Sequence, residues 1–130
     1  MYLRFVVPDI DEDSCVARGV FHALHELREL GCLYWYEEEE HDRLREWFNE
    51  HLERPTRFTA SKKPHQRKKN KAISWFKDSA LEHLAHIRSM TVILEDHGIA
   101  VRTLTAVRVG YVVYEDQFQI VAEPFTDARI

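Results

Sequence analysis

The sequence predicts an α+β fold in which an antiparallel sheet is covered mainly on one face by three helices. A short β-branched and aromatic segment opens the chain, three segments with helical spacing follow, and strand-like segments close it. The predicted order of elements is therefore β-α-α-α-β-β-β, and an antiparallel sheet with helices on one face is its simplest packing. A chain of 130 residues without an internal repeat fits one domain, residues 1–130.

The first strand is predicted at residues 2–7, where β-branched and aromatic residues precede Pro8. The first helix is predicted over residues 14–30, because apolar residues recur there at helical spacing. These residues are Val16, Val20, Leu24, Leu27 and Leu30. Gly31 follows at the position where a left-handed C-terminal cap is needed.

The second helix is predicted over residues 34–52, with Pro55 just beyond its end. Its expected inner side consists of Tyr36, Leu44, Trp47, Phe48 and Leu52. Residues 37–40 are all glutamates near the start of this helix, where carboxylates favour the positive end of the helix dipole. This acidic run therefore needs no functional explanation.

The third helix is predicted over residues 79–97, because Ser79 and Glu82 have the spacing of a capping box. Its apolar residues lie on two opposite sides, which predicts a helix covered on both faces. One side carries Leu84, Ile87 and Leu94, and the other carries Leu81, Ala85 and Val92.

A strand over residues 99–107 and a hairpin with strands at 111–114 and 118–122 are predicted to close the chain. Residues 115–117, with the sequence Glu-Asp-Gln, form the tight link of this hairpin. Its exposed edge is compatible with a homodimer.

The charge distribution is strongly uneven. Residues 54–77 hold nine of the eighteen Lys and Arg residues and no Asp or Glu, whereas the other residues carry nine basic and twenty-two acidic groups. Residues 61–71 contain no apolar side chain that could join a core, so they are predicted to form an exposed loop. Ile73 and Trp75 alternate beyond this loop as they would in a short strand.

Lysine and arginine side chains on an exposed loop can bind nucleic-acid phosphates by displacing condensed counterions. The candidate phosphate-binding residues are Lys62, Lys63, Arg67, Lys68, Lys69 and Lys71. Trp75 has two interpretations, a platform for stacking on a base or a residue of the core. The leading functional hypothesis is a small protein that binds nucleic acid without reading its sequence.

Other interpretations of the basic segment stay open. It could be a solvated linker, it could lie on the acidic helices of its own chain, or it could contact an acidic protein partner in an interaction or regulatory module. A pI near 6.0 and the lack of a helix-turn-helix, zinc-finger or RNP-like motif argue against a dedicated nucleic-acid domain.

The chain has eight histidines, and two pairs share a helix face. His22 and His25 could bind a metal if Glu40 or His41 supplied a further ligand. His83 and His86 could act as an acid and base pair in a phosphodiester hydrolase. The simpler interpretation of both pairs is a solvated or hydrogen-bonded helix margin.

No cofactor or enzyme class is indicated. The four glycines form no phosphate loop, dinucleotide fingerprint or nucleophile elbow. Cys15 and Cys32 form neither a disulfide framework nor a CxxC motif, and both are expected to be buried. The lack of a signal peptide or a long apolar run predicts a cytoplasmic protein with no membrane association.

A resemblance covers most of the chain. It rests on the segments KAISWFKDSALEHLAHIRSM and VGYVVYEDQFQIVAEPF. Together they resemble small bacterial proteins with no assigned function. The resemblance implies a bacterial cytoplasmic or phage-related setting, and it supplies no ligand or catalytic residue.

Overall fold

The structure is a computed structural model that describes residues 1–10, 17–54 and 72–125. The described part contains three helices and six strands. In chain order these are β1 (Tyr2–Ile10), β2 (Ala17–Gly19), α1 (Val20–Glu29), α2 (Trp35–His51), β3 (Ile73–Lys77), α3 (Leu81–Asp96), β4 (Arg102–Ala106), β5 (Tyr111–Glu115) and β6 (Gln119–Glu123).

The strands form one antiparallel sheet in which β1 has two differently used edges. Along one edge, β4 pairs with every residue from Tyr2 to Val6. On the opposite edge, β3 pairs with Tyr2 and Leu3, and β2 pairs with Val6 and Ile10. The ladder then continues from β3 to β6 and from β6 to β5. An opening therefore remains between β2 and β3 beside Arg4 and Phe5.

Both faces of the sheet bury apolar side chains. The larger cluster joins the sheet to the helices and includes Phe5, Leu24, Leu44, Phe76 and Leu94. A smaller cluster contains Ile73, Trp75, Val109, Ile120 and Ala122. Because Trp75 and Phe76 are neighbours on β3 and point to opposite faces, β3 contributes to both clusters.

The predicted α+β class and antiparallel sheet are confirmed, and the predicted order agrees with the observed order apart from the two extra strands β2 and β3. We expected the first strand to end before Pro8, but β1 continues through Pro8 to Ile10. Pro8 lies where the register between β1 and β2 shifts, between Val6 and Ile10. A proline can occupy such an irregular position because no regular ladder hydrogen bond is required there.

The first helix is shorter than predicted. Residues 17–19 form β2, and α1 begins only at Val20, with Gly19 in an extended conformation as its N-cap. Pairing between Gly19 and Val6 holds this segment in the sheet. At the other end, α1 stops at Glu29, and Leu30 is exposed as its C-cap.

The start and one face of the third helix also differ from the prediction. Helix α3 begins at Leu81, and its N-cap Ala80 makes no side-chain hydrogen bond, so the Ser79–Glu82 capping box is wrong. The expected second covered face is also wrong, because Leu81 is 73% exposed and Val92 is 56% exposed. Only the opposite side of α3 packs into the larger cluster.

Two further expectations about burial are wrong. Tyr36 is exposed, whereas Glu37 and His41 are buried on the inner side of α2. The Glu37 carboxylate accepts hydrogen bonds from the Tyr34 backbone N–H at 2.9 Å and from the His97 ring at 2.8 Å. Cys32 is exposed and carries a free thiol.

No helix among residues 1–10, 17–54 and 72–125 is both long enough and apolar enough to cross a membrane.

We predict that Gly110→Ala destabilises the protein far more than Gly31→Ala. Gly110 has a φ of +133°, and a Cβ there would lie 2.0 Å from the Glu123 carbonyl oxygen, so the backbone would have to move. Gly31 also has a positive φ, +71°, but a Cβ there has no neighbour within 4 Å.

The expected loss of unfolding free energy is about 1–2 kcal/mol for Gly31→Ala and more than about 3 kcal/mol for Gly110→Ala. Urea denaturation followed by circular dichroism measures both losses. Equal losses would contradict the close approach of residue 110 to β6.

Candidate anion-binding cavity

A cavity of about 390 Å³ lies at the opening between β2 and β3. Side chains from the sheet and all three helices form its walls. The apolar lining residues include Phe5, Val20, Phe21, Phe48, Leu52, Phe76, Ile87 and Val121. The opening arises because only the end of β3, at Phe76 and Lys77, pairs with β1. The rest of β3 pairs with β6 on its other edge.

The charged residues that line the cavity are mostly basic. They are Arg4, Arg45 and Arg54, with Glu53 as the one acidic residue of the lining. Within the described ranges, no carboxylate forms an ion pair with any of these three arginines. The cavity therefore has a positive lining in a chain whose net charge is −4.

Arg4 is the most unusual of these residues because it is only 9% exposed. Its Nη2 donates a hydrogen bond to the Ala17 carbonyl oxygen of β2. Its Nη1 is buried and has no hydrogen-bond partner. Burial lowers the pKa of Arg4 to about 10, so its guanidinium remains charged at neutral pH. A buried charge without a full set of partners is costly, which makes Arg4 a candidate ligand-binding group.

A hydrogen-bond network centred on the buried Gln119 forms part of the cavity wall. The Gln119 amide accepts a bond from Ser74 Oγ at 2.8 Å and donates one to the Glu53 carbonyl oxygen at 2.6 Å. These bonds join β6 to β3 and to the chain that leaves α2. One side chain thus links three of the segments that line the cavity.

Asp116 supports this network from the hairpin turn. Burial opposes ionisation of its carboxyl group, but the Phe118 N–H, the Tyr114 hydroxyl and Gln119 all donate hydrogen bonds to it. Together these bonds hold the pKa of Asp116 below its usual value. Asp116 is therefore a charged acceptor that orients Gln119 at neutral pH.

The six predicted phosphate-binding residues, Lys62, Lys63, Arg67, Lys68, Lys69 and Lys71, lie outside the described residues. Arg54 and Ala72, which precede and follow residues 55–71 in the chain, both line the cavity. Trp75 is 2% exposed and belongs to the smaller core cluster. It is therefore a core residue, and its indole has no free face on which a base could stack.

His83 and His86 are held by structural contacts in an aromatic cluster around Trp47. The His86 ring stacks on one side of the Trp47 indole at 3.7 Å between ring centroids, and the His51 ring stacks with it at 4.3 Å. His83 donates from Nε2 to the His51 carbonyl oxygen at 2.8 Å, and His86 donates from Nδ1 to the Glu82 carbonyl oxygen at 2.6 Å. The geometry gives no support to an acid and base pair at these residues.

His22 and His25 do not form a metal site with Glu40 or His41. His22 is exposed. His25 stacks on His41 with the ring centroids 5.7 Å apart, and His41 Nδ1 is already bonded to Asp42 at 2.8 Å. No group of three His, Cys, Asp or Glu residues in the described part of the chain could hold a metal ion.

The start of α2 presents a second distinctive surface. Tyr34, Trp35 and Tyr36 are consecutive and exposed, with Trp35 71% exposed. The Tyr34 and Tyr36 rings stack at 5.7 Å, and Trp35 meets Tyr36 edge to face at 5.7 Å. Large exposed aromatic side chains in contact with one another are typical of protein-interaction surfaces.

Comparison with known protein families, with characterised proteins and with solved structures found no match for this chain. Function therefore has to be argued from the site itself. Sequence reasoning did not identify the cavity. The only sequence signal for it is an arginine inside an apolar strand, and such a residue on its own predicts no more than a solvent-facing position.

We predict that Gln119→Leu destabilises the protein by about 1–3 kcal/mol, because Ser74 and the Glu53 carbonyl lose their buried partner. Gln117→Leu provides the control, since Gln117 is exposed two residues earlier in the same hairpin. Its expected change stays within about 0.5 kcal/mol. Urea denaturation measures both free energies, and similar values for the two variants would show that the network contributes little.

Proposed function

We propose that this chain is a small binding protein that contacts nucleic-acid phosphates through the basic residues of segment 62–71. The observation that carries the proposal is the position of the cavity. Arg54 and Ala72, the described residues on either side of segment 55–71, both line it together with Arg4 and Arg45. Segment 55–71 itself contains seven basic and no acidic residues. Clustered positive charge of this kind attracts a polyanion.

The pairing of the acidic residues supports this proposal over docking of the segment on its own acidic helices. Arg28 pairs with Glu38 at 2.7 Å and with Asp42 at 3.2 Å. Arg43 pairs with Glu40 at 2.6 Å. Three of the seven carboxylates on α2 are thereby paired with arginines of α1 and α2, which weakens the attraction of this helix for the basic segment.

Six phosphate contacts on duplex DNA would give a slope of roughly −5 for the logarithm of affinity against the logarithm of salt concentration. Affinity should therefore fall about a thousandfold between about 50 and 200 mM salt. Fluorescence anisotropy with a labelled duplex measures this dependence. A flat salt dependence would rule the proposal out.

The double variant Lys68→Ala/Lys69→Ala should reduce the magnitude of this slope by about 2. Arg88→Ala/Arg102→Ala makes the same change in net charge at two exposed positions away from the cavity and should leave the slope nearly unchanged. Equal effects of the two double variants would show that the attraction is not local to the segment.

A second candidate function is interaction with a protein, and the exposed aromatic residues at the start of α2 favour it. The Tyr36 ring contacts the rings of both Tyr34 and Trp35, although none of the three is part of the larger core cluster. Tryptophan and tyrosine supply much of the binding energy in protein interfaces. In this hypothesis the chain acts as an interaction or regulatory module.

Under this hypothesis, a protein partner that remains with the chain after nuclease treatment should be lost on Trp35→Ser, with at least about a thirtyfold fall in affinity. Leu81→Ser is the matched control, because Leu81 is equally exposed on α3. Quantitative pull-down of the purified partner measures both affinities. If the Trp35→Ser variant still retains the partner, the aromatic residues at the start of α2 are not the binding surface.

A further inference from the structure

We propose that the cavity between β2 and β3 is a binding site for a small organic anion, whose carboxylate or phosphate group pairs with Arg4 and whose apolar body fills the remainder. This site goes beyond the proposed contact with nucleic acid, because it needs only residues that the structure describes.

The anionic group is inferred from the incomplete bonding of Arg4. The side chain is more than nine-tenths buried, yet within the described part of the chain it has one hydrogen bond, to the Ala17 carbonyl, and no carboxylate partner. Its Nη1 is buried with no partner at all. A carboxylate or phosphate oxygen in the cavity would supply the missing acceptor, and charge-assisted hydrogen bonds of this type are strong.

The apolar body is inferred from the lining. Phe48, Phe76 and Ile87 contribute to the walls from three different elements, and Phe21 extends the same surface toward solvent. A volume of about 390 Å³ is within the usual range of small-molecule sites, which combine apolar walls with a few polar groups. A free inorganic anion would leave most of this surface unfilled.

The site has polar groups that could orient a ligand. Ser74, Asn49 and Gln119 line the cavity, and Gln119 is fixed by its bonds to Ser74 and to the Glu53 carbonyl. A cation is disfavoured, because three arginines line the cavity against the single carboxylate of Glu53. The chemistry therefore selects an anion with an apolar body.

Isothermal titration calorimetry with three related probes tests the inference. We expect 2-naphthoate or 2-naphthyl phosphate to bind with a Kd at or below about 1 mM. The uncharged 2-naphthalenemethanol should bind at least about tenfold more weakly, because it cannot form the charged pair. The tighter of the two anions identifies the preferred group. Failure of both anions to bind, or equal affinity for the neutral alcohol, would overturn the proposal.

Variants at Arg4 locate the contact. Arg4→Met should weaken binding of the preferred anion by at least about tenfold, and Arg4→Lys should retain part of the affinity because it keeps the charge. Unchanged affinity in Arg4→Met would show that the anion does not pair with this side chain. Circular dichroism confirms that each variant is folded before the titration.

A second variant tests the cavity without altering Arg4. Gly19 lines the cavity, has an ordinary negative φ, and a Cβ there would have only the Phe5 carbonyl oxygen as a neighbour, at 3.9 Å. Gly19→Leu can therefore fill the space while keeping the backbone, and it should abolish binding of the probe. Probe binding equal to that of the unaltered chain would place the ligand elsewhere.

The two proposals fail independently. Lys68→Ala/Lys69→Ala should reduce binding to DNA and leave the affinity for the naphthyl anion within about twofold, because neither lysine is part of the proposed cavity site. Binding of the naphthyl anion by a chain that does not bind DNA would support the cavity and reject the nucleic-acid function. Loss of naphthyl binding in this double variant would contradict a site formed by the described residues alone.

Discussion

The pairing of β1 is the constraint on which the rest of the structure depends. One of its edges pairs with β4 without interruption from Tyr2 to Val6, whereas the other edge is divided between β3 at Leu3 and β2 at Val6. Neither of these two strands covers Arg4 and Phe5, so helices close the sheet there instead of another strand. The larger core, the opening in the sheet and the burial of Arg4 all follow from this division.

The elements set by local sequence could be predicted closely, and those set by distant pairing could not. Helix α2 was expected at residues 34–52 and is found at Trp35–His51, because periodicity and Pro55 both act locally. Strand β2 has only three residues and exists because Gly19 pairs with Val6. Leu81 and Val92 on α3 are exposed, and sequence could not show this, since an exposed apolar residue has the same sequence signature as a buried one.

The same distinction applies to the candidate sites. The basic segment is evident from composition, because charge can be counted without knowing the fold. Arg4 gives no such signal, since one arginine between Leu3 and Phe5 fits the alternation of an ordinary strand with one side in water. Its burial depends on the Ala17 carbonyl of β2, a partner thirteen residues away that periodicity cannot identify.

The opening beside Arg4 also has a consequence for how the fold holds together. In the described part of the chain β2 and β3 are not bonded to each other, and residues of β2, α1 and β3 line the same cavity. A ligand that contacts both walls would join them, so that the two parts of the chain would unfold locally together. By mass action it would also raise the unfolding free energy as its concentration rises above its Kd. The cooperativity of unfolding would then increase with the fraction of molecules whose cavity is occupied.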